Sequence, residues 1–175
     1  MSPHFLVELL SATKHRRNEF RCEENELAEF LQYRAWPEME ARASACFVLV
    51  PQNDPGQIAG FYTLSAAVIS LAKLPPELAA KLPQHPNLPA TLLGRLARDR
   101  KFRGAGLGDL LVVSALRRSL ANTSTVGSVA VVTDPKNGTA ETFYRRYGFR
   151  PLGGGRRLFL TMTEIAAWLE KGDGA

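Results

Sequence analysis

The hydrophobic positions change period several times along the chain. In Glu23–Ala35 (EENELAEFLQYRA), Leu27, Phe30, Leu31 and Arg34 recur at helical spacing behind an acidic start, which predicts a helix. Ala45–Val50 (ACFVLV) is a short apolar run that predicts a strand. Gln52-Asn53-Asp54-Pro55-Gly56 has turn composition, and Ile58–Ser65 (IAGFYTLS) is rich in β-formers and predicts the hairpin partner. Five prolines between Pro75 and Pro89 leave room only for a brief helix over Pro76–Lys81, so this stretch reads as a connection and not a domain boundary. Thr91–Arg98 predicts a strand and is followed by a glycine-rich loop. Gly106–Leu120 then predicts a helix with Leu107, Leu110, Leu111 and Ala115 on one face. Val126–Val132 predicts a strand, Thr139–Tyr147 a helix closed by Gly148, and Leu158–Thr161 a last strand. Thr161 and Glu164 have capping-box spacing ahead of a terminal helix over Ile165–Lys171. This order of elements predicts one mixed α/β, layer-forming domain.

Composition narrows the class. With 175 residues, 45% of them hydrophobic, the chain suits a single domain with a sizeable core. The longest mostly apolar run, near Leu64–Ala72, is far short of the about 20 residues that span a bilayer. Met1–Ser11, with Glu8 inside it, lacks the basic start and long apolar centre of a signal peptide, so a soluble cytoplasmic protein is expected, with no membrane partner. Cys22 and Cys46 form no C-x-x-C, and His4, His15 and His85 are scattered, so no metal site is expected.

The net charge of +5 is unevenly spread. From Arg95 to Arg157 there are 13 Lys/Arg against 4 Asp/Glu, a balance of +9, whereas Met1–Gly94 has 8 against 10, a balance of −2. The basic stretch contains the glycine loop, which suits a polyanionic ligand: a phosphorylated cofactor, a nucleic acid, or both.

A strand, then Arg103-Gly104-Ala105-Gly106-Leu107-Gly108, then an amphipathic helix makes a phosphate-binding arrangement. Glycines let the backbone approach a ligand, and the first amides of the helix and its dipole favour negative charge. Arg103, with Arg98, Arg100 and Lys101 nearby, adds charge-assisted donors. The Walker pattern fails because no Lys-Ser/Thr follows the loop, and the dinucleotide pattern G-x-G-x-x-G fails on spacing.

Two segments resemble a known family. Leu92–Gly108 (LLGRLARDRKFRGAGLG) is similar to the acetyl-CoA loop of GNAT N-acetyltransferases, and Ala140–Leu152 (AETFYRRYGFRPL) to their second signature, a helix with a Phe-Tyr pair that ends in Gly-Phe. Phe20-Arg21-Cys22 with Leu27 and Leu31, Gly60–Ser65 and Leu93–Ala97 resemble a narrower group, the GNAT toxins of type II toxin–antitoxin modules. The sequence departs from that group at Arg21 and Glu23, where Asp and Gly are usual, at Arg98, and over Thr133–Gly138 (TDPKNG).

The resemblance implies a GNAT fold over 1–175: a single acetyltransferase domain with a central, mostly antiparallel mixed sheet flanked by helices. It implies acetyl-CoA as cosubstrate, held by the backbone of Leu96, Ala97 and Arg98, by the loop Arg103, Gly104, Ala105, Gly106, Leu107 and Gly108, and by Asn137. It implies Tyr144 as the catalytic general acid and the free amine of aminoacyl-tRNA as acceptor, so that translation is blocked. A ribbon-helix-helix antitoxin and a homodimer are the implied partners. Two other readings stay open on sequence alone: a GNAT acting on a small-molecule or protein amine, and a non-catalytic acyl-CoA-binding or RNA-binding module. Asp99 and Glu141 are base candidates by position only. An α-amine, with a pKa near 7.7–8.0, needs a base far less than a lysine side chain does. The pairs Arg117-Arg118, Arg145-Arg146 and Arg156-Arg157 are candidates for RNA phosphates.

Overall fold

Seven strands pair edge to edge in the computed structural model of the protein, which describes residues 4–173. The ends of the Met1–Ser11 segment and of the 1–175 span lie partly outside the described residues. The strands are β1 (Phe5–Leu9), β2 (Ala45–Pro51), β3 (Gly60–Ser70), β4 (Asn87–Arg98), β5 (Ala130–Thr133), β6 (Arg150–Pro151) and β7 (Leu158–Thr161). Their hydrogen-bonding order is β1-β2-β3-β4-β5-β7-β6. The β1–β2, β2–β3, β5–β7 and β6–β7 pairs are antiparallel, and β4–β5 is parallel. The helices are α1 (Asn25–Glu29), α2 (Ala35–Glu40), α3 (Pro76–Ala79), α4 (Leu107–Asn122), α5 (Gly138–Arg145) and α6 (Met162–Asp173). This is the mostly antiparallel mixed α/β sheet with flanking helices that the GNAT resemblance implies. Among the described residues no helix is long and apolar enough to cross a membrane.

The chain forms two compact units. The first comprises the chain up to Ser65 together with Gly94–Ala115. Its core joins Phe20, Phe30, Leu31, Cys46, Val48, Val50, Phe61 and Ala97. Phe61 of β3 meets the Phe20 ring edge-on at 5.5 Å and stacks on Phe30 at 6.2 Å. The helix expected over 23–35 is longer and less regular than its periodicity suggests. A π-helical turn at Phe30–Arg34 joins α1 to α2 and puts Phe30 and Leu31 in the core. Pro37 is the third residue of α2, just after this π-helical turn. Gly60 of β3 is needed for packing: a Cβ there would lie 2.9 Å from Leu111 Cδ1 of α4 and 3.1 Å from the Ala97 carbonyl.

The second unit comprises Ala66–Leu93 and the chain from Leu116 on. Ile69, Leu88, Ala90, Ala130, Val132, Leu152 and Phe159 form its core. The β4–β5 ladder covers Thr91–Leu92 opposite Val131–Val132, and the Thr133 hydroxyl then donates to the Leu93 carbonyl at 3.0 Å. Thr161 and Glu164 form the expected capping box: the Glu164 N–H donates to Thr161 Oγ1 at 3.1 Å and the Thr161 N–H to Glu164 Oε1 at 3.3 Å. Gly148, at φ 98°, closes α5.

Several boundaries differ from the sequence pattern. β4 starts at Asn87, with Pro89 inside it, because Pro89 needs no donor there; its carbonyl accepts from the Val129 N–H at 2.9 Å. β5 begins only at Ala130, and Val126 is exposed. Leu110 is 45% exposed and does not share the buried face of Leu107, Leu111 and Ala115, which Val112 and Leu116 complete.

Candidate active site

The glycine loop belongs to the first unit. Arg98 ends β4, and Asp99 then caps a short 3-10 turn over Arg100–Phe102. Asp99 is 3% exposed, and its carboxylate is used up by the backbone: it accepts from the Lys101 N–H and from the Arg21 N–H, both at 2.9 Å. The Arg100 N–H in turn donates to the Arg21 carbonyl at 2.9 Å. The loop start is therefore tied to the Phe20–Cys22 segment by two backbone bridges.

Beyond the turn, Gly104 and Gly106 adopt φ of 82° and 74°, a left-handed conformation that other residues reach only at a cost. Among the described residues, no atom beyond each glycine and its chain neighbours lies within 4 Å of where a Cβ would be at either position, so this face of the loop is open to a ligand. The N–H groups of Arg103 and Ala105 donate within the loop, to Arg100 and Phe102 carbonyls at 3.2 Å. That narrows the expected set of loop amides toward the glycines and the first turn of α4. Leu107 is fully buried and anchors that turn, and the Leu107 and Gly108 amides have no partner within the helix. An open double-glycine turn ahead of a 16-residue helix fits a pyrophosphate.

The charges around the loop are not all available to a ligand. Glu23 Oε1 lies 2.5 Å from Arg103 Nη2 and 3.5 Å from Arg98 Nη1. The Arg103 guanidinium holds the Glu23 carboxyl below the usual carboxylate range.

Tyr144 belongs to the second unit. Asn137 caps α5 by accepting the Ala140 N–H on its side-chain oxygen at 2.9 Å, which leaves its side-chain NH2 for the cofactor contact that the resemblance implies. Two turns after Asn137, α5 carries Tyr144 into the interior, 6% exposed. Its ring meets Phe143 at 5.2 Å and Phe149 at 5.6 Å, both edge-on. Burial pushes the phenol up to about 12, against a weaker opposing pull from its hydrogen bond with Thr133. At neutral pH this group is a proton donor only. Tyr147, the competing phenol, packs against Phe143 and Trp168.

Neither carboxylate flagged by position is placed as a base. Asp99 is the loop anchor just described, and Glu141 is paired with Arg145 on the surface of α5 at 2.9 Å. Three of the arginines counted in the basic stretch are likewise tied to acids: Arg145 to Glu141, Arg150 to Glu164 and Arg157 to Asp134. Sequence reasoning missed both the anchoring role of Asp99 and the ion pairs of Glu23. The only signal for either was Glu23 as a departure from the family pattern. Among the described residues no group of three or more His, Cys, Asp or Glu could hold a metal ion.

With this geometry in place, comparisons with known proteins identify the family. Residues 72–158 match the model of the FR47-like protein family. The tRNA-acetylating toxin of Mycobacterium tuberculosis is 31% identical over 130 residues, 74% of this chain and 75% of that protein. The structure of AtaT complexed with acetyl-methionyl-tRNAfMet superposes with a TM-score of 0.87 at 28% identity, covering 95% of this chain and 99% of that one. A Tyr-to-Phe mutant of AtaT bound to the C-terminus of the antitoxin AtaR and acetyl-CoA superposes with a TM-score of 0.80 at 26% identity, covering 94% and 98%. The chain belongs to the GNAT N-acetyltransferase family, in its group of tRNA-acetylating toxins.

Proposed function

We propose that the protein transfers the acetyl group of acetyl-CoA to the free α-amine of aminoacyl-tRNA and thereby blocks translation. The observation that carries this reading is the buried, fully protonated Tyr144 in a chain that also keeps an open glycine turn at the head of α4. The likeness to AtaT in complex with an acetylated aminoacyl-tRNA supports the acceptor.

In this reading acetyl-CoA supplies the activated thioester, and the chain supplies position and a proton. The backbone of Leu96, Ala97 and Arg98 holds the pantetheine arm, and Arg103–Gly108 with the first turn of α4 holds the pyrophosphate. Asn137 adds a contact through its side-chain amide. The neutral amine attacks the thioester carbonyl, the C–S bond breaks, and Tyr144 gives its proton to the departing sulfur. The proton lost by the amine goes to water, and the Tyr144 phenolate takes a proton back from water, so the site is restored and the net change is amide plus free thiol. No protein base is assigned, which suits an α-amine with a pKa near 7.7–8.0.

The same reading treats 1–175 as one acetyltransferase domain that works in the cytoplasm as a homodimer and is neutralised by a ribbon-helix-helix antitoxin. The AtaT complex with the antitoxin AtaR supports an antitoxin partner.

The direct test uses radiolabelled acetyl-CoA, charged tRNA and a panel of small amines and peptides. Label is expected in the aminoacyl-tRNA fraction, and Tyr144→Phe should abolish most of it. Label confined to small amines or peptides, or no thioester consumed at all, would overturn the acceptor or the activity.

A further inference from the structure

Arg98 and Arg103, on either side of the short turn that leads into the glycine loop, share one carboxylate, brought to them from 75 and 80 residues earlier in the chain. Glu23 does not reach them by chance of a long side chain. It follows Phe20 and Cys22, both buried, and the Arg21 backbone is bridged to Asp99 and Arg100 at the loop start. Its carboxylate is therefore held beside Arg103 by the fold. The contact itself is exposed, with Glu23 at 46% and Arg103 at 65% side-chain exposure. An ion pair of this kind is weak and exchanges readily.

We propose that Glu23 is an internal competitor for the cofactor's phosphates, occupying the Arg103 guanidinium until an anionic ligand displaces it. The inference rests on the reading of Arg103–Gly108 as the pyrophosphate site. Glu23 occupies the Nη2 group of Arg103, so a phosphate contact that uses this nitrogen must replace Glu23. Once displaced, the carboxylate remains close by, ionised at neutral pH, and repels the phosphates. Arg98 feels the same carboxylate at the end of β4. Glu23 thus lowers affinity for acetyl-CoA and hastens release of the spent cofactor. It is a positioning residue that acts through Arg103 and takes no part in the chemical step.

The test compares two thioesters: acetyl-CoA, and acetyl-pantetheine, which lacks every phosphate. Glu23→Gln should tighten acetyl-CoA binding about three- to fivefold at low salt, the scale of an exposed ion pair. The gain should shrink at 0.5 M salt, where charges are screened within about 4 Å. Acetyl-pantetheine binding should not change, and the gain from Glu23→Gln should be smaller in an Arg103→Gln background, where only the repulsion and the Arg98 contact remain to be relieved. Glu23→Ala should behave in the same way, with an unchanged melting temperature for each variant as the folding control. If Arg103→Gln weakens acetyl-CoA binding while Glu23→Gln leaves it equal or weaker, the competitor role is wrong and the loop assignment stands. If Arg103→Gln leaves acetyl-CoA binding unchanged, the assignment of Arg103 to the phosphates fails, and the competitor role with it.

Discussion

The Asp99 carboxylate accepts the Arg21 N–H at 2.9 Å across 78 residues of chain, and its other oxygen accepts the Lys101 N–H at 2.9 Å. A buried acid with both oxygens on backbone donors is a fastener for the loop. Asp99→Asn keeps the size but turns an amide NH2 toward one of those donors. The loss of one bond and the unsatisfied N–H should cost about 1–3 kcal/mol, read as a lower urea midpoint. Acetyl-CoA affinity should fall by about tenfold, the equivalent of 1.4 kcal/mol of loop misplacement. Unchanged stability and affinity would show that the loop holds itself without the bridge.

Tyr144→Phe removes one oxygen and leaves the edge-on contacts with Phe143 and Phe149 in place. The transfer rate should drop by about 10²–10⁴-fold, the usual worth of a positioned acid. The acetyl-CoA dissociation constant should stay the same. Because burial holds the phenol protonated up to about 12, the wild-type rate should not fall between pH 8 and about 10. A phenol at its ordinary value would already be losing its proton there. A rate that declines through that range, or a fully active Tyr144→Phe, would remove Tyr144 from the chemistry.

Gly106 lies at φ 74° with open space where a Cβ would stand. Valine there has room but not the backbone freedom, at a cost of roughly 1–2 kcal/mol for the left-handed conformation. Gly106→Val should therefore fold with a modest fall in melting temperature. Its affinity for acetyl-CoA should drop at least about tenfold, as the loop relaxes away from the turn that faces the ligand. Wild-type affinity in this variant would mean that the amides of the turn do not contact the cofactor.

Features that depend on local pattern were readable from the chain alone. ACFVLV lies inside β2, the Thr161/Glu164 box caps α6, and the Arg103–Gly108 segment leads into α4 as its glycines demand. What escaped depends on partners far away. β1 is an edge strand with Leu6 and Leu9 about half exposed, so its residues do not alternate, and only pairing with β2 makes it a strand. Leu110 fits the apolar stripe by spacing, yet it falls on the solvent side once α4 is packed. Asp99 reads as a base by position because nothing local reveals that the Arg21 N–H will meet it. Glu23 reads as one acid among several until the fold sets it beside Arg103. The charge count also overstated the free cations, because Arg150 and Arg157 find acids 14 and 23 residues away in the folded chain.

Cys46 sits near the start of β2 with no exposed surface, and burial pushes its thiol from 9.0 up to about 12. Folding therefore favours the protonated thiol, while the unfolded chain releases that proton above about pH 9. The unfolded state binds fewer protons in this window, so stability is intact below pH 9 and is lost progressively as pH rises toward 12. At pH 10.5, about 1.5 units into the window, the loss from this one group is about 2 kcal/mol. Cys46→Ala should be less stable at pH 8, since it leaves a small cavity in the core. Its stability should nevertheless decline less between pH 8 and 10.5, and the two denaturation midpoints should converge. Parallel curves for the two proteins would show that the thiol does not resist ionisation in the folded state.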